Sequence, residues 1–261
     1  MNAPRDMEGW HGWEQYAPFY DWENARTVGR RDIRFWQHLA KECGGPVLEL
    51  GCGTGRVSLP VARVVGRVVG IDRSHAMLKR AWRRVRRADL AHRLSLVRGD
   101  IRALPFITSM RFRLVMAPYG VLQSLLRDRD LRDVLASVRG VLQPGGTFAI
   151  DLVPELSSWR EYTRRVTLRG QTSGGTRVRL VESVRQDPSR KLTSFDQEFI
   201  EGRGLTSRSH RFTLVFRSLS VRQMTGRLRR AGFRIGQVAG DYQRGGWHPE
   251  ADICVIVSKR D

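Results

Sequence analysis

A doubly wound α/β fold carrying an inserted antiparallel sheet is predicted, and three observations predict it. Between residues 46 and 150 five short apolar runs alternate with segments of helical periodicity, the pattern of a parallel sheet covered on both faces. Between 160 and 217 that rhythm stops and apolar residues recur at every second position, as in half-buried antiparallel strands. At 261 residues the chain is long enough for one full core and a small extra lobe.

Residues 1–25 are rich in aromatics (Trp10, Trp13, Tyr16, Phe19, Tyr20, Trp22) with no clear period, and read as a segment packed over something. Arg30 to Lys41 reads as a helix with Ile33, Trp36, Gln37 and Ala40 on one side. The run 46–50 is a buried strand that ends in glycines, and Arg56 to Val65 is a helix. The second strand, 67–71, closes on Asp72. Ser74 is placed to cap a helix running to about Ala88, with Met77, Leu78, Ala81, Trp82 and Val85 as its buried side. Strands follow at 94–97, 112–116 and 147–150, with an amphipathic helix from Asp128 to Val141 and a Pro144-Gly145-Gly146 turn before the fifth strand. Right-handed crossovers make this sheet doubly wound.

Val166/Leu168, Val178/Leu180, Phe195/Phe199 and Phe212/Leu214/Phe216 mark about four antiparallel strands. Gly174-Gly175, Asp187-Pro188-Ser189 and Gly202-Arg203-Gly204 supply their turns. A helix from Ser220 to Ala231 stops at Gly232, and strands at 233–238 and 253–257 finish the chain. Three units are expected: 1–45, an aromatic lid and helix; 46–155 with 218–261, the ligand-binding α/β domain; and 156–217, the inserted lobe, whose exposed strands offer a way to pair as a homodimer.

Hydrophobic residues at 41% and charged residues at 28% exclude a disordered or collagen-like chain. No apolar run approaches the roughly 18 residues of a membrane helix, and the first residues lack the apolar core of a secretory signal. Cys43, Cys52 and Cys254 are odd in number and widely spaced, giving neither a disulfide framework nor a metal spacing, so a cytoplasmic location is expected. The formal charge of +20 suggests a polyanionic partner. However, 42 of the 46 basic residues are Arg, a skew that also fits a GC-rich coding sequence, and they are spread over the whole length. The densest group, Arg80, Arg83, Arg84, Arg86 and Arg87, reads as the solvated face of its helix.

The informative segment is Glu49-Leu50-Gly51-Cys52-Gly53-Thr54-Gly55, where the first strand turns into the first helix. Glycines there let the backbone approach a ligand at the carboxyl edge of the sheet. Asp72, 21 residues after Gly51, can accept hydrogen bonds from both hydroxyls of a ribose. A dinucleotide requires G-x-G-x-x-G for its pyrophosphate. Here the spacing is G-x-G-x-G behind the acidic Glu49, which disfavours a nicotinamide oxidoreductase and suits a cationic, phosphate-free ligand.

On these residues the sequence resembles the class I S-adenosylmethionine-dependent methyltransferases, strongly over 46–152 and more weakly over 220–258. Gly70-Ile71-Asp72-Arg73-Ser74-His75-Ala76-Met77 is similar to the family's second motif, in which the acid binds ribose and the Met packs on adenine. Gly99-Asp100-Ile101 is similar to its adenine contact, and Pro144-Gly145-Gly146 to the turn before its fifth strand. The resemblance implies a seven-stranded Rossmann-like methyltransferase sheet whose last two strands bring in an antiparallel member. It implies S-adenosylmethionine as cofactor, with contacts from Tyr16, Tyr20, Glu49, Gly51, Cys52, Gly53, Thr54, Gly55, Asp72, Arg73, Met77, Gly99, Asp100, Ile101 and Ala117.

The fourth strand leads into Ala117-Pro118-Tyr119, the place that faces the reactive methyl in the family. Nucleic-acid and protein-amide methyltransferases often carry Asn/Asp-Pro-Pro-Tyr here. The missing leading polar side chain points to a small-molecule N or O acceptor, with Tyr119 as the substrate-facing catalytic candidate. The layout is similar to glycine and amino-sugar N-methyltransferases, which use an N-terminal aromatic lid, the role expected of Tyr16 and Tyr20. His210 and His248 are candidate bases, although positioning alone can supply much of the barrier reduction. An RNA acceptor, suggested by the charge, and a non-catalytic cofactor-binding protein are the alternatives.

Overall fold

The computed structural model describes residues 9, 12–27, 31–107, 111–154, 160–172, 174–202 and 206–261. Trp10, Arg30, Arg203 and Gly204, named above, lie outside the described residues. The five expected apolar runs are β1 (Val47–Leu50), β2 (Val68–Asp72), β3 (Leu94–Arg98), β4 (Phe112–Ala117) and β5 (Leu142–Leu152). The alternating region forms β6 (Tyr162–Gln171), β7 (Arg177–Asp187), β8 (Leu192–Glu201) and β9 (Arg208–Arg217), and the chain closes with β10 (Phe233–Ala239) and β11 (Cys254–Arg260). The larger sheet has the order β10-β11-β5-β4-β1-β2-β3, and β6 to β9 form a separate antiparallel sheet. In the larger sheet β11 runs antiparallel to both its neighbours. Chain order reverses at β1, between β2 and β4, which opens a crevice at the carboxyl ends of these strands.

The helices are α1 (Trp13–Asn24), α2 (Ile33–Cys43), α3 (Ser58–Ala62), α4 (His75–Arg87), α5 (Asp128–Val141) and α6 (Val221–Arg230). Successive strand residues face opposite sides, so each strand feeds two cores. Leu48, Val115 and Phe148 pack with Leu131 and Val134 of α5 and Met224 and Leu228 of α6. Val47, Leu114 and Ala149 pack with Trp36 of α2, Val61 of α3 and Val85 of α4. Burial on both faces is why these strands read as unbroken apolar runs.

The aromatic N-terminal segment is packed over something, as expected: residues 13–24 are helical, and α1 lays Tyr16, Phe19 and Trp22 on the antiparallel sheet, where Phe19 stacks on Phe199 at 4.4 Å. Three expectations are corrected. Trp82 does not belong to the buried side of α4: it is 43% exposed, with Arg86 over its ring at 5.5 Å. Arg84, assigned above to a solvated face, turns inward to Asp21 (3.1 Å) and the Thr54 carbonyl (3.3 Å). Pro144-Gly145-Gly146 lies within β5 as an irregularity, where pairing with β4 shifts from Phe112–Leu142 to Leu114–Thr147.

Candidate functional site

The crevice at the carboxyl edge of β1, β2 and β4 holds a cavity of about 460 Å3, within the size range of small-molecule sites. Its floor is the loop after β1. Gly53 has φ +53° and Gly55 φ +76°, left-handed values that an L side chain adopts only with strain. A Cβ on Gly53 would have the Tyr20 ring as its nearest neighbour, at 3.9 Å, on the cavity side, whereas one on Gly55 would clash with Leu59 beneath the loop.

Asp72, at the end of β2, organises this floor. One carboxylate oxygen accepts from Gly53 N–H at 2.7 Å and the other from Ser74 N–H at 2.8 Å. Burial holds its pKa above the ordinary value for an aspartate, and these backbone donors offset part of that rise. Ser74 caps α4 as expected, accepting from Met77 N–H at 3.1 Å, and this sets Met77 against the cavity wall. Asp100 stands on the far rim. It takes the Arg102 guanidinium at 2.8 Å and the Arg102 N–H at 2.9 Å, which together hold its carboxyl below the usual range.

The roof is α1, whose Trp13 and Tyr20 line the cavity. Glu14, one residue on, accepts from the N–H groups of His75 (2.7 Å) and Ala76 (2.9 Å), the first free donors of α4. Although burial pushes the other way, these bonds lower its pKa and put a carboxylate at the positive end of the helix. The other side of α1 is tied to the small sheet. Tyr16 donates to Glu23, and Gln197 donates to Glu23 (2.9 Å) and Glu182 (2.8 Å), which also accepts from Tyr162. Burial pushes Glu23 up to about 7.

The fourth wall is Pro118-Tyr119 after β4, with Val121 and Leu125 behind it and Phe216 of β9 opposite. Tyr119 is 41% exposed and has φ +64°, an unusual conformation for a bulky residue. The next residue, Gly120, donates its N–H to Asp151 at 2.7 Å, and Tyr242 donates its hydroxyl to the other oxygen at 2.8 Å. Asp151 is 1% exposed, and burial pushes it up to about 6 against these bonds. Beneath Tyr119 lies Arg56, its guanidinium 5.2 Å from the ring centroid and held by Asp32 in a two-pronged pair at 2.7 Å and 2.7 Å.

Of the residues expected at the site, Tyr20, Gly51, Gly53, Asp72, Arg73, Met77, Gly99, Asp100, Ile101 and Tyr119 line the cavity. The other six sit behind its walls. Tyr16 is turned to Glu23 and the small sheet. Glu49 is buried beneath the loop, where it accepts from Ser58, and burial pushes it up to about 8. Cys52 and Ala117 are buried core. Thr54 donates to Asp21 at 2.6 Å, and Gly55 packs on Leu59. His210 pairs with Glu201 and His248 with Glu250, and neither lines the cavity. Sequence reasoning missed Glu14, Arg98, Ser124 and Phe216 on the lining and Asp32, Asp151 and Tyr242 behind it. The aromatic and alternating patterns hinted at Phe216, and Arg98 directly precedes Gly99-Asp100; Glu14, Asp32, Asp151 and Tyr242 are pairings across the fold with no local signal.

A family model described as "Methyltransferase domain" matches residues 47–146. The chain is 35% identical over 157 residues to a 2-phytyl-1,4-naphtoquinone methyltransferase of Synechococcus elongatus, a match over 57% of this chain and 64% of that protein. It therefore spans less than two thirds of that relative. Among solved structures, the CcbJ methyltransferase of Streptomyces caelestis is 22% identical with a TM-score of 0.78, covering 95% of this chain and 96% of its own. The sugar N-methyltransferase KedS8 of Streptoalloteichus is 15% identical with a TM-score of 0.74, covering 100% and 97%. No helix among the described residues is long and apolar enough to cross a membrane.

Proposed function

The chain has the class I methyltransferase fold, with a methyltransferase domain matched over residues 47–146 and a layout similar to that of sugar N-methyltransferases, and from that premise we propose that it is an S-adenosylmethionine-dependent methyltransferase acting on a small-molecule N or O acceptor. The observation that carries the reading is the pairing of Gly53 N–H with Asp72. A loop built for pyrophosphate keeps its amides free for anionic oxygens. Here the amide faces a carboxylate, which repels phosphate and suits a ligand that brings hydroxyls and positive charge.

The residues present fit that cofactor. Asp72 would accept from its ribose hydroxyls, Met77 and Ile101 would sandwich its base with Asp100 at the rim, and Gly53 would leave room for its backbone-hugging portion under Tyr20. When bound, S-adenosylmethionine supplies an electrophilic methyl on a sulfonium. The work left to the chain is to orient an acceptor lone pair behind that methyl and to exclude water. Tyr119, Tyr20, Trp13 and Phe216 form an aromatic enclosure suited to both. Among the described residues no histidine lines the cavity, so the reading rests on positioning, with Tyr119 as the polar group nearest the acceptor side. The acceptor atom, nitrogen or oxygen, and a homodimer paired through β6 to β9 are further parts of this proposal.

The test is calorimetry with S-adenosylmethionine, S-adenosylhomocysteine and NADH. The first two should bind and NADH should not, and Asp72→Ala should weaken S-adenosylhomocysteine by about 1–3 kcal/mol, the cost of hydroxyls left unpaired. Tight NADH binding, or Asp72→Ala at native affinity, would remove the basis for the reading. Methyl transfer to an amine or hydroxyl acceptor in a small-molecule panel separates an enzyme from a non-catalytic binder. Transfer to RNA is a second reading, favoured by the +20 charge.

A further inference from the structure

A second cavity lies on the opposite edge of the large sheet. It is a groove of about 940 Å3 between α5 and α6, at the amino end of β5, and shares no lining residue with the first. Five arginines line it: Arg132 and Arg139 of α5, Arg227 and Arg230 of α6, and Arg260 at the end of β11. The fold gathers them from three distant stretches of sequence. Because β11 runs antiparallel to β5, its last residue returns beside the start of β5, and Arg260 donates to the Leu142 carbonyl.

Among the described residues the only acid on the lining is Asp128, already occupied by Arg217 at 2.6 Å and Arg227 at 2.9 Å. Among the described residues Arg132, Arg139 and Arg230 have no carboxylate within ion-pair distance. Arg260 is pressed by its neighbours: burial and the charges of Arg111 and Arg139 lower its pKa, and its Nε is buried with no partner among the described residues. Helix dipoles account for arginines in the last turns of α5 and α6. They do not account for Arg260, which comes from a strand and enters the same groove. Like charges gathered around a concave surface repel one another, and an anion seated among them reverses that cost.

We propose that the α5–α6 groove is an anion site that takes a phosphate-bearing ligand, held by Arg132, Arg139, Arg230 and Arg260. Guanidinium forks match phosphate oxygens two at a time, and the groove has room for more than one phosphate. This goes beyond the methyltransferase reading and does not depend on it.

The test is calorimetry of the full chain with inorganic tripolyphosphate at physiological salt, and fluorescence anisotropy with a labelled uridine decamer. The double variant R139A/R230A removes two groove charges. R83A/R87A removes two exposed charges of α4 outside the groove and serves as the equal-charge control. A second groove pair, R132A/R230A, guards against a local folding defect, and unchanged thermal melts qualify each protein. Both groove variants are expected to weaken tripolyphosphate by about tenfold or more while the control stays within about twofold, as fits lost charge-assisted hydrogen bonds. If the decamer shows the same pattern, the phosphate is that of a nucleic-acid backbone; if only tripolyphosphate does, it is that of a compact ligand. Equal weakening by groove and control variants would mean net charge alone is at work and would overturn the proposal, as would failure of both probes to bind.

Discussion

Two alanines, placed two residues apart in the loop after β1, separate what the glycines do for the fold from what they do for a ligand. At Gly53, with φ +53°, a Cβ stands 3.9 Å from the Tyr20 ring, an ordinary contact, so the cost to the folded state is backbone strain alone. That strain is about 1–2 kcal/mol. The added methyl, however, occupies the gap between the loop and Tyr20, inside the cavity. Overfilling a well-packed space costs about 1–3 kcal/mol, or roughly 5–150-fold in affinity for S-adenosylhomocysteine. At Gly55, φ is +76° and the Cβ would strike Leu59, away from the cavity. Gly55→Ala should therefore lose about 2–4 kcal/mol of stability, yet bind within about threefold of the parent at a temperature where it is folded. Urea denaturation gives the first quantity and calorimetry the second. Native affinity in Gly53→Ala, or the larger affinity loss in Gly55→Ala, would refute the assignment of Gly53 to the ligand face.

Three further outcomes follow from the same geometry. Asp32→Ala leaves Arg56, whose side chain is only 12% exposed, without its partner, and should destabilise by about 3–5 kcal/mol in urea; a loss under about 1 kcal/mol would mean that Arg56 finds another partner. Asp151→Ala strips the Gly120 N–H and the Tyr242 hydroxyl of their acceptor and should cost about 2–5 kcal/mol, with Asp151→Asn milder because one acceptor oxygen remains; the order is read from denaturation midpoints. Stability should also fall as pH rises. Burial raises the folded-state pKa of Asp151 to about 6, Glu23 to about 7 and Glu49 to about 8, each above its unfolded value, so the folded chain holds these protons after the unfolded chain has lost them. Their contribution is complete below about pH 4 and fades as pH climbs through about 5 to 8. Thermal melts without ligand should show a lower midpoint at pH 8 than at pH 5.5, and Glu23→Gln should shrink the difference; a flat or rising profile contradicts the assignment.

The large sheet was legible because its strands are buried on both faces and its motifs are local. The glycine loop, Asp72 and Ser74-to-Met77 each lie within a few residues of a strand end, where sequence spacing and spatial position coincide. Helix α1 was not legible, for a physical reason: Tyr16, Phe19 and Trp22 face the small sheet while Trp13 and Tyr20 face the cavity, so apolar residues occur all round it, with Pro18 in its middle. A helix sandwiched between two surfaces shows no single apolar stripe. The partner of Glu49 was not legible either: strand alternation turns its carboxylate under the loop to Ser58, nine residues on. The supports of Tyr119 were hidden by distance: Asp151 stands 31 residues and Tyr242 stands 91 residues along the chain from the groups they hold.

The contact of Glu14 with the start of α4 fastens the aromatic roof of the crevice to the helix that carries Met77. If α1 swings outward, His75 and Ala76 surrender a shared acceptor to bulk water at the moment Met77 is uncovered. A ligand that binds only while α1 is in place would stabilise this contact by mass action. Acid releases the same contact, since protonating Glu14 removes the charge that secures it.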